Sequence, residues 1–397
     1  MVDNVSAGDA GHTPDRLPPL SVIPADIRSL PDYERRAEAH LPPATWRHIQ
    51  SGEGPESSLA ANRAQFGRHH LVPRMLADMR GATTELELFG LRHAAPILLA
   101  PVAYHRLAHA QGELATISAA TALHTTMVVS TLSSMSLEDI ADAARAAAAE
   151  LRMPAPPPLW FQLYFQPDRS YTAELVRRAE AAGYQVLVFT VDASVKRSDF
   201  ALPPGVEAVN LRGMPRLSQN AEVASGRIVF GTPLLDAAPT WESLAWLRSQ
   251  TRLPIVIKGL LSPEDARLAR DHGADGIIVS NHGGRVLDGL ACPLDMLPAM
   301  VEAVEDRLPL LLDSGVRHGT DILKALALGA RATLIGRPQL HALAVAGMQG
   351  VAHMLHILRA ELELAMAHAG CSSLPTLSSG DDAVLPARIV KTADVML

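Results

Sequence analysis

The sequence has few cysteines, no excess of basic residues and no long apolar run. Its 397 residues include two cysteines, Cys292 and Cys371, which are too few for a disulfide framework, so the cytoplasm is the expected compartment. The net charge of −7 argues against the basic face that binds duplex nucleic acid. No apolar run approaches the roughly 20 residues that span a bilayer, so no transmembrane segment is predicted.

Signals for secretion and for a metal site are also missing. Residues 1–20 are polar and lack the basic start and apolar centre of a secretion signal, so we interpret them as a flexible leader. The pairs His69-His70 and His353/His356 have no Cys or carboxylate at ligand spacing, and no metal is predicted. Because 48% of the residues are hydrophobic and 19% are charged, the chain can bury a large core.

From about residue 96 the chain repeats a short apolar run, a polar turn and an Ala/Leu-rich stretch of helical period. The runs are apolar at almost every position, as in parallel strands that are covered on both faces. Eight strands are predicted, at 96–100, 126–130, 159–164, 186–191, 254–258, 276–280, 309–313 and 332–336. Helices are predicted at 138–151, 171–182, 241–250, 263–272 and 320–328, with caps at Ser136, Ser262 and Thr320. This pattern predicts an α/β protein, a (β/α)₈ TIM barrel.

The remaining segments are expected to surround this barrel, which is placed at 91–375. Residues 21–90 carry helical patterns at 32–39, 43–50 and 57–66 and a strand-like stretch at 83–89, so they form an N-terminal helical extension with pre-barrel strands. We expect this extension to close the bottom of the barrel or to line its entrance. Residues 193–240 form a long excursion after the fourth strand, as an active-site lid does, and 376–397 form a C-terminal tail.

Polar or ionisable residues follow nearly every predicted strand. In a barrel these ends converge on one mouth, and a buried Lys, Asp or His there is costly unless it is paired or bound to a ligand. The candidates at or just after the runs are Val102, Ala103 and Tyr104; Ser133; Gln162 and Tyr164; Thr190 and Asp192; Lys258; Ser280, His282 and Arg285; Asp313, Ser314, Gly315 and Arg317; and Gly336 and Arg337.

The last two strand ends indicate a phosphate site. Gly315, Gly319 and Gly336 would let backbone N–H groups approach an anion, and Arg317 and Arg337 add forked donors. The loops after the seventh and eighth strands are the usual phosphate cradle of such barrels. The alternative is that the glycines serve turn geometry alone.

Three other strand ends carry residues suited to proton and carboxylate chemistry. His282 can take a proton near neutral pH, Arg285 can hold a carboxylate, and Asp192 could orient the histidine; the alternative is a surface loop with incidental His and Arg. Lys258 suggests either a Schiff-base nucleophile or a fixed cation beside an electron-rich cofactor. Spacing alone leaves both roles open.

Several segments, each after the appropriate strand, carry a family resemblance. They are FQLY at 161–164, TVD at 190–192, IKG at 257–259, SNHGGR at 280–285, LDSGVRHGTD at 312–321 and IGRP at 335–338. With them, residues 41–371 resemble the FMN-dependent 2-hydroxy-acid oxidases and dehydrogenases. The early segment APVAYHRL is most similar to the 4-hydroxymandelate oxidase branch.

The resemblance implies FMN as the cofactor and oxidation of a 2-hydroxy acid to a 2-oxo acid, with electrons passed to dioxygen, a quinone or a protein acceptor. It implies that His282 is the base, supported by Asp192. Arg285 would hold the substrate carboxylate, Tyr164 would bond the substrate, and Lys258 would lie beside the flavin. The FMN-binding residues would be Val102, Ala103, Ser133, Gln162, Thr190, Ser280, Asp313, Ser314, Gly315, Arg317, Gly336 and Arg337. Family members are often tetramers, so a homo-oligomer is expected.

Three departures from the family pattern lie on the substrate side. His48 stands where the family has a substrate tyrosine, and Met135 stands where an aromatic residue is common. The loop after TVD is short, so that Arg197 is the candidate for a second carboxylate-binding arginine. With Tyr104 as a further lining residue, we expect a bulky or aromatic hydroxy acid, or a biosynthetic intermediate, rather than glycolate or lactate. The alternatives are a barrel lyase or aldolase using Lys258 as a Schiff base, and a flavin-binding protein with drifted, non-redox chemistry.

Overall fold

The computed structural model describes residues 16–195, 199–214, 229–374 and 388–391. Its centre is a closed barrel of eight parallel strands in chain order, in which the last strand pairs with the first. The barrel strands are β4 (Ile97–Leu99), β5 (Thr126–Ser130), β6 (Leu159–Leu163), β7 (Val186–Thr190), β8 (Ile255–Leu260), β9 (Gly276–Val279), β10 (Leu310–Leu312) and β11 (Ala332–Ile335). The predicted TIM barrel is therefore confirmed, with strand ends within two residues of those expected.

Helices precede the barrel and alternate with its strands. They are α1 (Leu30–His40), α2 (Pro43–Gln50), α3 (Ser57–Ala64), α4 (Glu113–Ala122), α5 (Leu137–Glu150), α6 (Arg169–Ala182), α7 (Pro233–Asp236), α8 (Trp241–Gln250), α9 (Pro263–Asp271), α10 (Pro293–Val304), α11 (Gly319–Ala327) and α12 (Arg337–Ala369), the last broken at Ala346 and Gly347. Ser136 and Ser262 cap α5 and α9 as predicted. The cap predicted at Thr320 is wrong, because His318 and Asp321 form the capping box of α11.

The barrel strands are apolar on both faces because each face has its own packing partner. One set of side chains fills the interior, including Leu98, Val128, Trp160, Ile278 and Leu311. The alternate set, including Leu99, Val129 and Phe161, packs against the surrounding helices. Period-two alternation of direction explains why continuous apolar runs mark this sheet.

A hairpin that spans the expected boundary between the N-terminal extension and the barrel fills the bottom of the barrel. Its strands are β2 (Leu86–Leu88) and β3 (Leu91–His93). The ring of Phe89 lies edge-on to Trp160 with centroids 5.5 Å apart, and His93 approaches the same ring at 5.9 Å. Gly276 starts β9 without a side chain, and an added Cβ would lie 2.9 Å from Phe89. The hairpin thus seals the N-terminal end of the barrel.

Outside the barrel, β1 (His69–Val72) pairs antiparallel with β12 (Arg388–Lys391), so the predicted tail contains a strand that the sequence did not indicate. The excursion after β7 carries only short helical elements in its described parts, at Val209–Leu211 and α7. Arg197 lies outside the described residues. No helix within the described ranges combines the length and apolar character needed to cross a bilayer.

Candidate active site

A cavity of about 480 Å³ opens at the carboxyl ends of the barrel strands. It brings together most of the residues that the sequence singled out, including one from α2. These are His48, Val102, Ala103, Tyr104, Tyr164, Lys258, His282, Arg285, Asp313, Ser314, Gly315, Arg317, Gly336 and Arg337. Arg337 donates to the carbonyl oxygen of Gly283, the neighbour of His282, at 3.0 Å. The phosphate-type and base-type strand ends therefore share one mouth.

His282 is paired with Asp192 at this mouth. Its Nδ1 lies 2.8 Å from Asp192 Oδ1. Burial raises the pKa of Asp192, but His282 and Lys258 more than offset this and hold it below its ordinary value. An ionised Asp192 accepts a hydrogen bond from Nδ1–H, so that Nε2 is the basic nitrogen whenever the ring is neutral. Gly259, at φ 112°, makes room for this pair, since a Cβ there would lie 2.5 Å from Asp192.

Lys258 is held as a buried ammonium. Its Nζ lies 3.0 Å from Asp313 Oδ2 and 2.9 Å from Ser280 Oγ. The same Ser280 hydroxyl accepts the backbone N–H of His282 at 3.0 Å. Burial lowers the pKa of Lys258, but Asp313 and Asp192 raise it above its ordinary value. A Schiff-base nucleophile must be a neutral amine, so this environment favours the fixed-cation role.

Three arginines line the same cavity. Arg285 and Arg337 donate to backbone carbonyls, and Arg317 lies 3.5 Å from Glu34 and donates to the Val316 carbonyl at 2.9 Å. Burial lowers the pKa of Arg317 to about 10 and that of Arg337 to about 9, and neighbouring arginines contribute. Buried cations in this excess are stabilised by a bound anion.

Tyr104, His282 and Ser314 have left-handed backbone conformations, with φ of 55°, 56° and 79°. Each follows a barrel strand and lines the cavity. Non-glycine residues adopt this conformation at a cost and persist in it where surrounding contacts fix them, typically at functional sites. Here the fixing contacts include Gly283 N donating to Ser314 Oγ at 3.1 Å.

The substrate side is lined by rings. Burial is the main cause that raises the pKa of Tyr164, so its hydroxyl stays a neutral hydrogen-bond donor. His48, on α2, stacks on Phe200 of the excursion with centroids 4.0 Å apart and planes 14° apart. Met135 is half-buried against the core and does not belong to the cavity lining.

The donor set fits FMN. Gln162 Nε2 and Thr190 Oγ1 are buried at the ends of β6 and β7 without a hydrogen-bond partner among the described residues, and a polar ring edge would satisfy them. At the opposite side, an added Cβ at Gly336 would meet nothing within 4 Å, which leaves room for a phosphate beside Arg337. Gly319 has another purpose, since a Cβ there would lie 2.2 Å from Leu362 N, so it serves packing of α11 on α12.

Ser133, which the sequence suggested for the site, lies outside the cavity lining, and Ser130 belongs to it. The Ser133 hydroxyl donates to Met135 O at 2.7 Å and accepts from Asn210 at 2.8 Å, and Ser133 does not line the cavity. Ser130 does line it, and its hydroxyl donates to Gln162 Oε1 at 3.1 Å. Ser130 is the last residue of β5, so its position at the strand end is the sequence feature that could have identified it.

Helix α3 also belongs to the site, although sequence reasoning missed it. Asn62 and Asn281 exchange two amide hydrogen bonds of 2.8 Å, which joins α3 to the loop of His282. Gly315 lies so close to α3 that an added Cβ would stand 1.8 Å from the Asn62 carbonyl oxygen. The pre-barrel helix therefore buttresses both the base loop and the phosphate loop. Across the described ranges, no cluster of three or more His, Cys, Asp or Glu residues is placed to hold a metal ion.

The similarity to known proteins agrees with this geometry. Residues 37–382 match the family model described as FMN-dependent dehydrogenase. The chain is 46% identical over 369 residues to the L-lactate oxidase of Alicycliphilus denitrificans, covering 91% of this chain and 98% of that protein. It is 44% identical over 353 residues to the 4-hydroxymandelate oxidase of Amycolatopsis orientalis, covering 87% and 95%.

Among solved structures, mandelate oxidase with (S)-2-phenylpropionate superposes with a TM-score of 0.78 at 42% identity, covering 92% of this chain and 98% of its own. These matches span the barrel and the pre-barrel segment together, and they confirm the resemblance that the strand-end motifs indicated. The chain belongs to the family of FMN-dependent 2-hydroxy-acid oxidases, and it oxidises 2-hydroxy acids to 2-oxo acids with FMN as its cofactor.

Proposed function

We propose that the preferred substrate is an aromatic or otherwise bulky 2-hydroxy acid and that His282 is the catalytic base. The observation that carries the second part is the 2.8 Å contact between His282 Nδ1 and Asp192 Oδ1 at the cavity that Arg285 also lines. The ring-lined substrate side, with His48, Tyr104 and Tyr164, supports the first part. Aromatic rings recognise planar apolar groups by stacked or edge-to-face contact.

In this proposal each protein group has one task. Arg285 holds the substrate carboxylate, and Tyr164 donates a hydrogen bond to a substrate oxygen. His282 Nε2 takes a proton from the substrate, and Asp192 stabilises the imidazolium that results. Bound FMN supplies the two-electron acceptor. Lys258 keeps a positive charge fixed beside it, where developing negative charge is stabilised without reorganisation.

We propose the cofactor contacts from the strand end at which each group lies and from its hydrogen-bond partners. At the ring end we propose Val102, Ala103, Ser130, Gln162, Thr190, Lys258 and Ser280, with Ser130 taking the place first given to Ser133. At the phosphate end we propose Asp313, Ser314, Gly315, Arg317, Gly336 and Arg337. The raised pKa of Lys258 and the family membership both speak against the lyase reading, in which Lys258 would form a Schiff base.

Turnover on a short series of acids tests the substrate proposal. We expect kcat/KM for mandelate and 4-hydroxymandelate to exceed that for glycolate at least about tenfold, because one added apolar group in a matching pocket contributes about 1–3 kcal/mol. Fast and selective glycolate oxidation would contradict the proposal. Lactate is a second candidate, favoured by the 46% identity to a protein named L-lactate oxidase, and the same series measures it.

We propose dioxygen as the electron acceptor, because the similar proteins are named oxidases. An oxygen electrode and a quinone dye, used in parallel on the same preparation, decide between dioxygen and a quinone or protein acceptor. Assembly into a homo-tetramer and a cytoplasmic location stay predictions. Light scattering on the purified protein measures the first of these.

A further inference from the structure

The last turn of α2 contacts two of the arginines that line the cavity, Arg285 and Arg337. The carbonyl oxygens of Ile49 and Ser51 accept hydrogen bonds from Arg285 Nη1 at 3.1 and 2.9 Å. The same two oxygens accept from Arg337 Nε and Nη2 at 2.9 Å each. Carbonyl groups at a helix C-terminus have no partner within the helix, and cations are favourable there. The positions of both guanidinium groups therefore depend on where α2 ends.

Gln50 lies between these two carbonyl groups, and its side chain is held by two other helices. Its Nε2 donates to Glu34 Oε1 of α1 at 2.8 Å, and its Oε1 lies 2.9 Å from His341 Nε2 of α12. Arg317, Gln50 and other neighbours overcome burial and lower the pKa of Glu34 to about 2, so the amide faces a carboxylate. Burial lowers the pKa of His341 to about 3, so the ring is neutral and donates through Nε2.

We propose that Gln50 is a positioning residue that fixes the end of α2, so that one pair of carbonyls aligns Arg285 for the substrate carboxylate and Arg337 for the FMN phosphate. The inference rests on the roles proposed for these two arginines. An apolar side chain at position 50 would leave His341 Nε2 without this partner and would remove one hydrogen bond from Glu34, which keeps Arg63 and Arg317. It would thereby release the end of α2. Displacement of both guanidinium groups would weaken the binding of the substrate carboxylate and of the FMN phosphate.

The variant Gln50→Leu tests this proposal, with Gln250→Leu as its matched control at the exposed end of α8. The holoenzyme is assayed for kcat and for KM with mandelate, and the Kd of FMN is measured by quenching of flavin fluorescence on the apoprotein. We expect KM and Kd to rise together by about tenfold, the change that 1.4 kcal/mol produces, while kcat stays within about threefold. His282 keeps its contact with Asp192 in this variant, which is why kcat is spared. The control should change neither constant.

Three results would overturn the inference: a lower melting temperature with unchanged KM and Kd, a change in only one of the two constants, or a kcat that falls as steeply as KM rises. If Gln50→Leu yields no folded protein, Gln50→Asn decides by the same constants, because its shorter amide cannot reach both Glu34 and His341.

The variants Arg285→Lys and Arg337→Lys separate this inference from the proposed function. An unchanged KM in Arg285→Lys, or an unchanged FMN Kd in Arg337→Lys, contradicts the roles given to the arginines. Changed constants in those variants, together with unchanged constants in Gln50→Leu, contradict the role given to Gln50 alone.

Discussion

The two ends of the barrel are built from the same eight strands and differ in almost every other respect. At the carboxyl end stand charged groups and left-handed backbone, among them Lys258, His282 and Ser314. At the amino end stand Trp160, Phe89 and His93, packed ring against ring. Charged side chains are thus concentrated at the carboxyl ends of the strands, where they can act on a ligand, while the packed rings at the amino ends stabilise the fold. If this division holds, substitutions at the mouth should change kcat, and substitutions at the bottom should change the free energy of unfolding.

The largest effect is expected at the mouth. His282→Gln removes the basic nitrogen, and we expect kcat to fall about a thousandfold, the usual contribution of a positioned base. The free energy of unfolding should stay within about 1 kcal/mol, because His282 is not part of the core. Stopped-flow reduction of the flavin and chemical denaturation measure the two quantities. His272→Gln, an exposed histidine of α9's end, is the control, and equal losses in both variants would contradict the assignment.

The bottom should respond in the opposite way. Trp160→Ala empties the centre of the interior cluster, and we expect a loss of about 3–5 kcal/mol in unfolding free energy. At a temperature where the variant is folded, kcat should remain within about threefold. Trp241→Ala, at a half-buried position on α8, should lose less than half as much stability. A large fall in kcat in Trp160→Ala would show that activity at the mouth depends on packing at the bottom.

Asp192→Asn should lower kcat without loss of the bound flavin. The amide keeps the shape of the carboxylate but cannot stabilise the imidazolium, so we expect kcat to fall about a hundredfold, less than in His282→Gln. Flavin absorbance should show that the cofactor remains bound. A decrease as large as that of His282→Gln would instead indicate that Asp192 acts chiefly by keeping the proton on Nδ1, the tautomer in which Nε2 is basic.

The smallest effect is expected for the carboxylate of Glu34 on α1 and concerns how the free energy of unfolding depends on pH. The folded-state pKa of Glu34, about 2, lies below its ordinary value of 4.5, so its stabilisation is fully present above pH 4.5 and is lost as the pH falls toward 2. We therefore expect Glu34→Gln to lose about 1 kcal/mol near neutral pH and to converge with the parent protein as the pH approaches 2. Denaturant titrations across this range measure the difference, and a gap that widens in acid would contradict the sign.

The sequence predicted the barrel and its mouth because both follow from local pattern. Apolar runs of strand length gave the eight strands, and polar residues immediately after them, such as Lys258 and His282, had to meet once the barrel closed. The contacts of Gln50 with His341, and of Asn62 with Asn281, join residues more than 200 positions apart, and no local pattern encodes such pairs. For the same reason the strand pairing of β1 with β12 was not foreseen.

Two differences of two or three residues between the expected and the observed positions have a local cause. Thr320 and His318 both precede a helical pattern, and only the position of the Asp321 carboxylate shows which one caps the helix. Ser130 and Ser133 lie in the same short stretch, and the turn geometry decides which hydroxyl meets the cavity. In both cases the residue type predicts the kind of interaction, a helix cap or a hydroxyl contact, and the path of the backbone determines which residue makes it.

The absence of a side chain at Gly315 has a consequence for how the enzyme comes apart. Because that residue touches the Asn62 carbonyl directly, the loop that would grip the phosphate has α3 as its outer wall. Proteolytic cleavage on the N-terminal side of α3 should therefore release FMN while the eight strands stay folded. Heating that detaches this helix before the barrel unfolds should do the same. Loss of colour would then precede loss of ellipticity, and the interval between them would report how firmly the N-terminal segment is docked.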